Sequence, residues 1–136
     1  MVENLLYLSV VFNDYDWKSL AENMLLKIAD GIRQFPESLS NWGCTALSFM
    51  HQPIEIVITG FDTEVQRKKA LAIYIPNKIL ISAEKETELI LAKNKDYNQK
   101  ALIYLCKNNQ CYRPVPDFKD ISDFHSGLTF SEIKIE

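Results

Sequence analysis

The sequence predicts an α/β protein: an N-terminal helical hairpin plus a third helix, packed on a small mixed β-sheet. Three observations predict this. Apolar residues follow a helical period up to residue 52, β-branched alternation begins after Pro53, and a strand–helix–strand spacing follows at once. At 136 residues, with 47% apolar and 24% charged residues, the chain has the length and composition of one ordinary globular unit.

The first predicted helix carries Leu5, Leu8 and Phe12 on one face and Leu6, Val10 and Val11 on others, so it needs burial on several sides. Asn13 and Asp14 offer cap residues for a second helix. There Trp17, Leu20, Ala21, Met24, Ile28 and Ile32 form the apolar stripe, while Lys18, Glu22 and Arg33 face water. Phe35-Pro36 ends it, and Pro36 suits the first turn of a third helix carrying Leu39, Trp42, Ala46, Phe49 and Met50.

Residues 54–59 read as a strand closed by Gly60. Asp62 and Thr63 are placed to cap a helix holding Val65, Leu71, Ala72 and Ile75, and Pro76-Asn77 stops it before a second strand at residues 78–82. A strand–helix–strand unit of this kind forms a right-handed parallel crossover. Residues 84–91 read as a short helix and 93–100 as a polar loop. The run from Ala101 to Val115 reads as a strand, a four-residue turn and a returning strand, with Cys106 and Cys111 at the feet of the turn. Asp117 then opens a last helix with Phe118, Ile121 and Phe124 on its buried side, and a weakly alternating tail follows from residue 128. The expected order is β-α-β-α-β-β-α behind the helices, with segments at 1–52, 53–127 and 128–136. That order is shared with thioredoxin-type cores, but Gly60-Phe61-Asp62-Thr63 stands where their redox cysteines belong.

Composition excludes several functions. A net charge of −3 leaves no electrostatic footprint for nucleic acid, and Arg67-Lys68-Lys69 beside Glu64 reads as a solvated helix face. No apolar run has the length of a membrane span, and no leader pattern opens the sequence, so the three cysteines are expected in a reducing cytoplasm. With four glycines, no phosphate-cradling loop can be drawn; no G-x-S-x-G occurs, and the only imidazoles are His51 and His125. Neither a catalytic residue nor a cofactor-binding motif is expected. Asp14, Asp16, Glu84, Glu86 and Glu88 read as helix-start acids rather than catalytic pairs. Trp17 and Trp42 read as core residues.

The cysteine pair leaves three readings open: a disulfide, a metal half-site or two packed thiols. Directly opposed strand positions lie within disulfide range. Redox chemistry would need a lowered thiol pKa, and Lys107 and Arg113 are the nearby cations by sequence. A zinc site would draw further ligands from Cys44, His51 or His125, at a spacing looser than C-x2-C, and no metal is expected.

Several stretches resemble the C-terminal region of a large protein family. They are Glu3-Asn4-Leu5-Leu6, Ala46-Leu47-Ser48-Phe49, Ile56-Val57-Ile58-Thr59-Gly60 and Ile75-Pro76-Asn77-Lys78-Ile79. The most specific, residues 104–115, is similar to Y-V-C-x-N-x-x-C-x-x-P-V, on which Cys106, Asn108, Cys111 and Pro114 fall, while Asn109 stands where an aromatic residue is expected. The family joins an N-terminal thioredoxin-like domain to a six-hairpin α/α toroid of the glycosidase type; its animal members are spermatogenesis-associated proteins. By that resemblance the first helices are closing hairpins of a toroid. A toroid site gathers side chains from many hairpins, so the chain alone is expected to be a structural or interaction domain without catalysis. Its N-terminal helices would self-associate or dock to a larger toroid, and a thiol redox function of Cys106 and Cys111 is the alternative.

Overall fold

The computed structural model describes residues 1–107 and 110–119. Three helices come first: α1 (Val2–Phe12), α2 (Tyr15–Gln34) and α3 (Ser40–Met50). Then come β1 (Ile54–Thr59), α4 (Thr63–Ala72), β2 (Lys78–Ala83), β3 (Leu102–Lys107) and β4 (Gln110–Cys111). The chain is an α/β fold with a mixed four-stranded sheet in the order β2-β1-β3-β4.

The turn between α1 and α2 forms as its residue types dictate. Asn13 takes a left-handed conformation (φ 51°), which asparagine tolerates, and the Asp14 carboxylate accepts the Trp17 backbone N–H at 3.0 Å. Phe12 and Trp17 then meet edge to face at 5.9 Å across the corner. The three helices enclose Val2, Ala21 and Leu25, with Leu5, Leu6, Met24, Trp42, Ala46 and Phe49 packed partly around them. Two details depart from the periodic reading. Leu20 is half exposed while Leu25 is buried, since the side of α2 turned to Val2 of α1 is the one carrying Ala21 and Leu25. The third helix starts at Ser40 rather than Pro36; residues 36–39 form a turn in which Leu39 N–H donates to the Phe35 carbonyl at 3.1 Å.

β1 is the centre of the sheet. It pairs in parallel with β2 from Ile54↔Lys78 to Thr59↔Ala83, and antiparallel with β3 from Glu55↔Cys106 to Thr59↔Leu102. Buried on both sides, it is nearly continuous in apolar β-branched residues. One face presents Ile56, Ile58 and Ile103 to Ala70 of α4, to Ile75 and to Phe118. The other gathers Val57, Ile79, Ile81, Tyr104 and Cys106 under Val11 of α1 and under Leu91 and Ala92. Asn77 ties the helical layer to the sheet, donating from its side-chain amide to the carbonyls of Ser48 (3.2 Å) and His51. Lys78 closes α4 by donating to the carbonyls of Ala70 and Ile73, both at 2.7 Å. Within α4 the expected stripe is displaced: Val65 and Leu71 are exposed, and Thr63 and Ala70 are buried.

The helix expected at residues 84–91 does not form. This stretch is bends, followed by a turn over residues 90–94. Thr87 Oγ1 accepts the Leu89 N–H at 3.2 Å, a local bond that competes with a helical ladder, and the acids at 84, 86 and 88 repel along it. Glu84, Glu86 and Glu88 therefore cap nothing. The segment crosses the sheet face irregularly and plugs Leu91 and Ala92 into the core. The hairpin turn is also tighter than expected: β3 runs to Lys107 and β4 resumes at Gln110, with Lys107↔Gln110 in register. Asn108, Asn109, the helix expected beyond Asp117 with Ile121 and Phe124, His125 and the tail from 128 lie outside the described residues.

The last described segment is fastened to α4. Asp117 accepts from Lys69 Nζ at 2.6 Å and from the Lys119 N–H at 3.0 Å, and these contacts, the lysine first, hold its carboxyl down to about 2. A carboxylate whose pKa is depressed by folding stabilises above its ordinary value and loses that contribution on protonation. Acid should therefore loosen this clasp as pH falls from 3.8 towards about 2. Lys69→Met should flatten that part of the stability–pH curve, measured by urea unfolding; an unchanged curve would show the clasp to be energetically silent.

Candidate functional site

The two cysteines of the hairpin stand directly opposite one another in the β3–β4 register, and their sulfurs are joined at 2.05 Å with the Cα atoms 3.9 Å apart. Of the three readings the sequence left open, the structure holds the disulfide. The two sides of the bond differ. Cys106 is 1% exposed and belongs to the core beneath Val11 and Leu91, whereas Cys111 lies on the exposed two-residue strand at the sheet edge. Pro114, half-buried, follows where pairing ends; Tyr112 N–H reaches Leu105 O at 2.9 Å, and Ile103 and Val115 exchange bonds of 2.8 and 3.0 Å. A missing donor at Pro114 thus leaves no gap in these bonds.

Lys95 is the residue the sequence did not single out. Its Nζ donates to Cys111 Sγ at 2.9 Å and lies 4.9 Å from the centre of the Tyr104 ring. Lys107 and Arg113 are nearer in sequence, but it is Lys95 that the fold brings onto the sulfur. The placement of Lys95 has a local cause. Its neighbour Asp96 is pinned to the sheet, its N–H bonding Tyr104 Oη at 3.2 Å and its carbonyl accepting Thr59 Oγ1 at 2.7 Å. Tyr97 Oη donates to the Ala92 carbonyl at 2.7 Å, and Gly60 allows the return of the loop beside β1. Burial pushes the Lys95 ammonium below its usual range, and the charge of Glu55 opposes that shift. Burial pushes the Tyr97 hydroxyl up, with the charge of Glu86 adding to it. Glu55 itself is 3% exposed and sits opposite Cys106 in the antiparallel pair, so both side chains share one sheet face.

A second feature is a cleft of about 660 Å³ between the helical layer and the N-terminal ends of β1 and β2, bordered by Glu3, Tyr7, Tyr15, Glu55 and Tyr74. Asp14 borders it too, but its carboxylate is engaged as the α2 cap. Of the metal-site candidates among the described residues, Cys44 is an exposed free thiol on α3, and the sulfurs of Cys106 and Cys111 bond each other. Among the described residues no three His, Cys, Asp or Glu side chains converge as a cation site. No described helix is long and apolar enough to cross a membrane. The basic run on α4 is a surface network, with Arg67 and Lys68 on Glu64 at 2.8 and 3.7 Å.

The chain resembles spermatogenesis-associated protein 20. Over 126 aligned residues it is 27% identical to the proteins of that name from Homo sapiens and Rattus norvegicus, and 26% identical to that of Mus musculus. The alignment covers 84% of this chain but only 16% of each relative's length. No protein-family model matches the chain. No solved structure matches it.

Proposed function

We propose that the chain is a structural and protein-interaction module whose helical layer packs against further helices of a longer protein. The observation that carries this reading is the surface of α1–α3. Tyr7, Phe12, Leu20, Leu26, Leu47 and Met50 are 45–73% exposed, while the core these helices form among themselves is small, its buried residues being Val2, Ala21 and Leu25. Helices that expose this many large apolar side chains are suited to cover by another protein surface. The resemblance supplies the context: the matched region is a small share of the relatives' length, and in a protein of that length the occupant of the surface would be the preceding hairpins of an α/α toroid joined to a thioredoxin-like domain. No reaction is assigned to the chain alone.

In the isolated chain a second copy takes the occupant's place, so the protein should self-associate. Sedimentation velocity over a wide concentration range should show a monomer–dimer equilibrium, and Leu26→Glu with Leu47→Glu should weaken it by at least about tenfold, since burying an unpaired charge is costly. A protein that stays monomeric at every concentration would overturn the reading.

A further inference from the structure

We propose that Cys106 and Cys111 form a reversible thiol–disulfide exchange site, in which Cys111 is the exchanging sulfur, Lys95 holds its thiolate and Cys106 resolves the mixed disulfide. The proposal goes beyond the packing role and rests on different residues. It stands on an asymmetry of access and charge. An external sulfur reaches Cys111 at the sheet edge, where Lys107, Gln110, Cys111 and Tyr112 border a shallow depression of about 260 Å³. Cys106 is closed to solvent. The Lys95 ammonium already touches Cys111 Sγ, and a cation at that distance favours the thiolate over the thiol. Glu55, facing Cys106 across the β1–β3 pair, disfavours a second negative charge there. The pair is thereby divided into one thiol that ionises and one that stays protonated until it is needed.

The exchange balances as follows. In the reduced protein the Cys111 thiolate attacks one sulfur of an external disulfide, R–S–S–R′, forming Cys111–S–S–R and releasing R′S⁻. Cys106 gives its proton to the Glu55 carboxylate, and its thiolate attacks Cys111 Sγ. The Cys106–Cys111 bond forms, the Cys111–S–R bond breaks, and RS⁻ leaves. Two electrons pass from the cysteine pair to the external disulfide. The reverse path, with an external dithiol as reductant, opens the bond seen in the structure. Among the described residues, the charged and titratable groups placed near the sulfurs include Lys95 from the crossing segment, Glu55 from β1, Tyr104 and Lys107 from β3, and Tyr112 next to Cys111.

Alkylation of the reduced full chain by iodoacetamide across pH, read residue by residue by peptide mass spectrometry, tests this. The Cys111 rate should titrate at least about one unit below the ordinary ~8.5 of a free cysteine. Lys95→Met should move that midpoint up by about one unit, Lys95→Arg should keep it low, and the distant exposed Cys44 should be unaffected throughout. In a glutathione redox buffer, Cys106→Ser should accumulate the mixed disulfide on Cys111. A Cys111 midpoint at or above the ordinary value, no response to Lys95→Met, or no mixed disulfide on Cys111 in Cys106→Ser would each overturn the proposal.

Discussion

Gly60→Ala should be among the most damaging single changes in this chain. Gly60 has φ +106°, a conformation that residues with a Cβ rarely adopt, and an added Cβ would stand 2.4 Å from the Gln99 carbonyl oxygen. The obstacle is backbone on both sides, so no side chain can swing away. Strain and displacement together should cost at least about 2 kcal/mol. The damage should spread beyond the turn. Phe61 N–H donates to Gln99 O at 3.1 Å and Ala101 N–H to Phe61 O at 2.9 Å, and these bonds moor the end of the segment that carries Lys95. Hydrogen exchange at Phe61 and Ala101 should accelerate together with the loss of stability in urea. A variant within about 0.5 kcal/mol of the parent would show that the loop is held from its other anchors, Thr59 and Tyr104.

The second large effect is expected at Ile103→Ala. Ile103 is fully buried, sits opposite Ile58, and packs in the cluster containing Ile56, Ala70 and Phe118. Truncation removes three carbons from a site walled by a sheet and a helix, which have little freedom to collapse, so about 3 kcal/mol should be lost. In a chain of this size Tm should fall by roughly 10 °C. Ile103 also exchanges backbone bonds with Val115, which the substitution leaves in place. Calorimetry should therefore show a less stable but still cooperative transition. A shift under about 1 kcal/mol would mean that this face of the sheet is loosely packed.

The strands and the parallel crossover could be read from the chain because their signals are local. Residues 54–59 alternate and are β-branched, Pro76-Asn77 stands just before β2, and the hairpin cysteines face each other across β3 and β4. The segment after β2 could not be read in the same way. Residues 84–91 read as a short helix, yet Thr87 and the alternating acids favour an irregular path, and only the sheet face fixes where it lies. Helix stripes were legible to within a residue or two. Whether Leu20 or Leu25 is buried depends on the angle at which α1 crosses α2, which periodicity does not carry.

The sequence alone determined the fold class and the places of β1 and β2, because each depends on side-chain period, and it put Cys106 and Cys111 at the feet of a hairpin without deciding whether they bond. The tertiary structure decided what surrounds that pair. Lys95 reaches Cys111 from 16 residues away, Glu55 faces Cys106 from another strand, and one cysteine is buried while the other is exposed. The reach of Lys95 follows from the path of residues 84–101 across the sheet, set by how Thr59, Gly60 and Tyr104 anchor it, and the facing of Glu55 and Cys106 follows from the β1–β3 register.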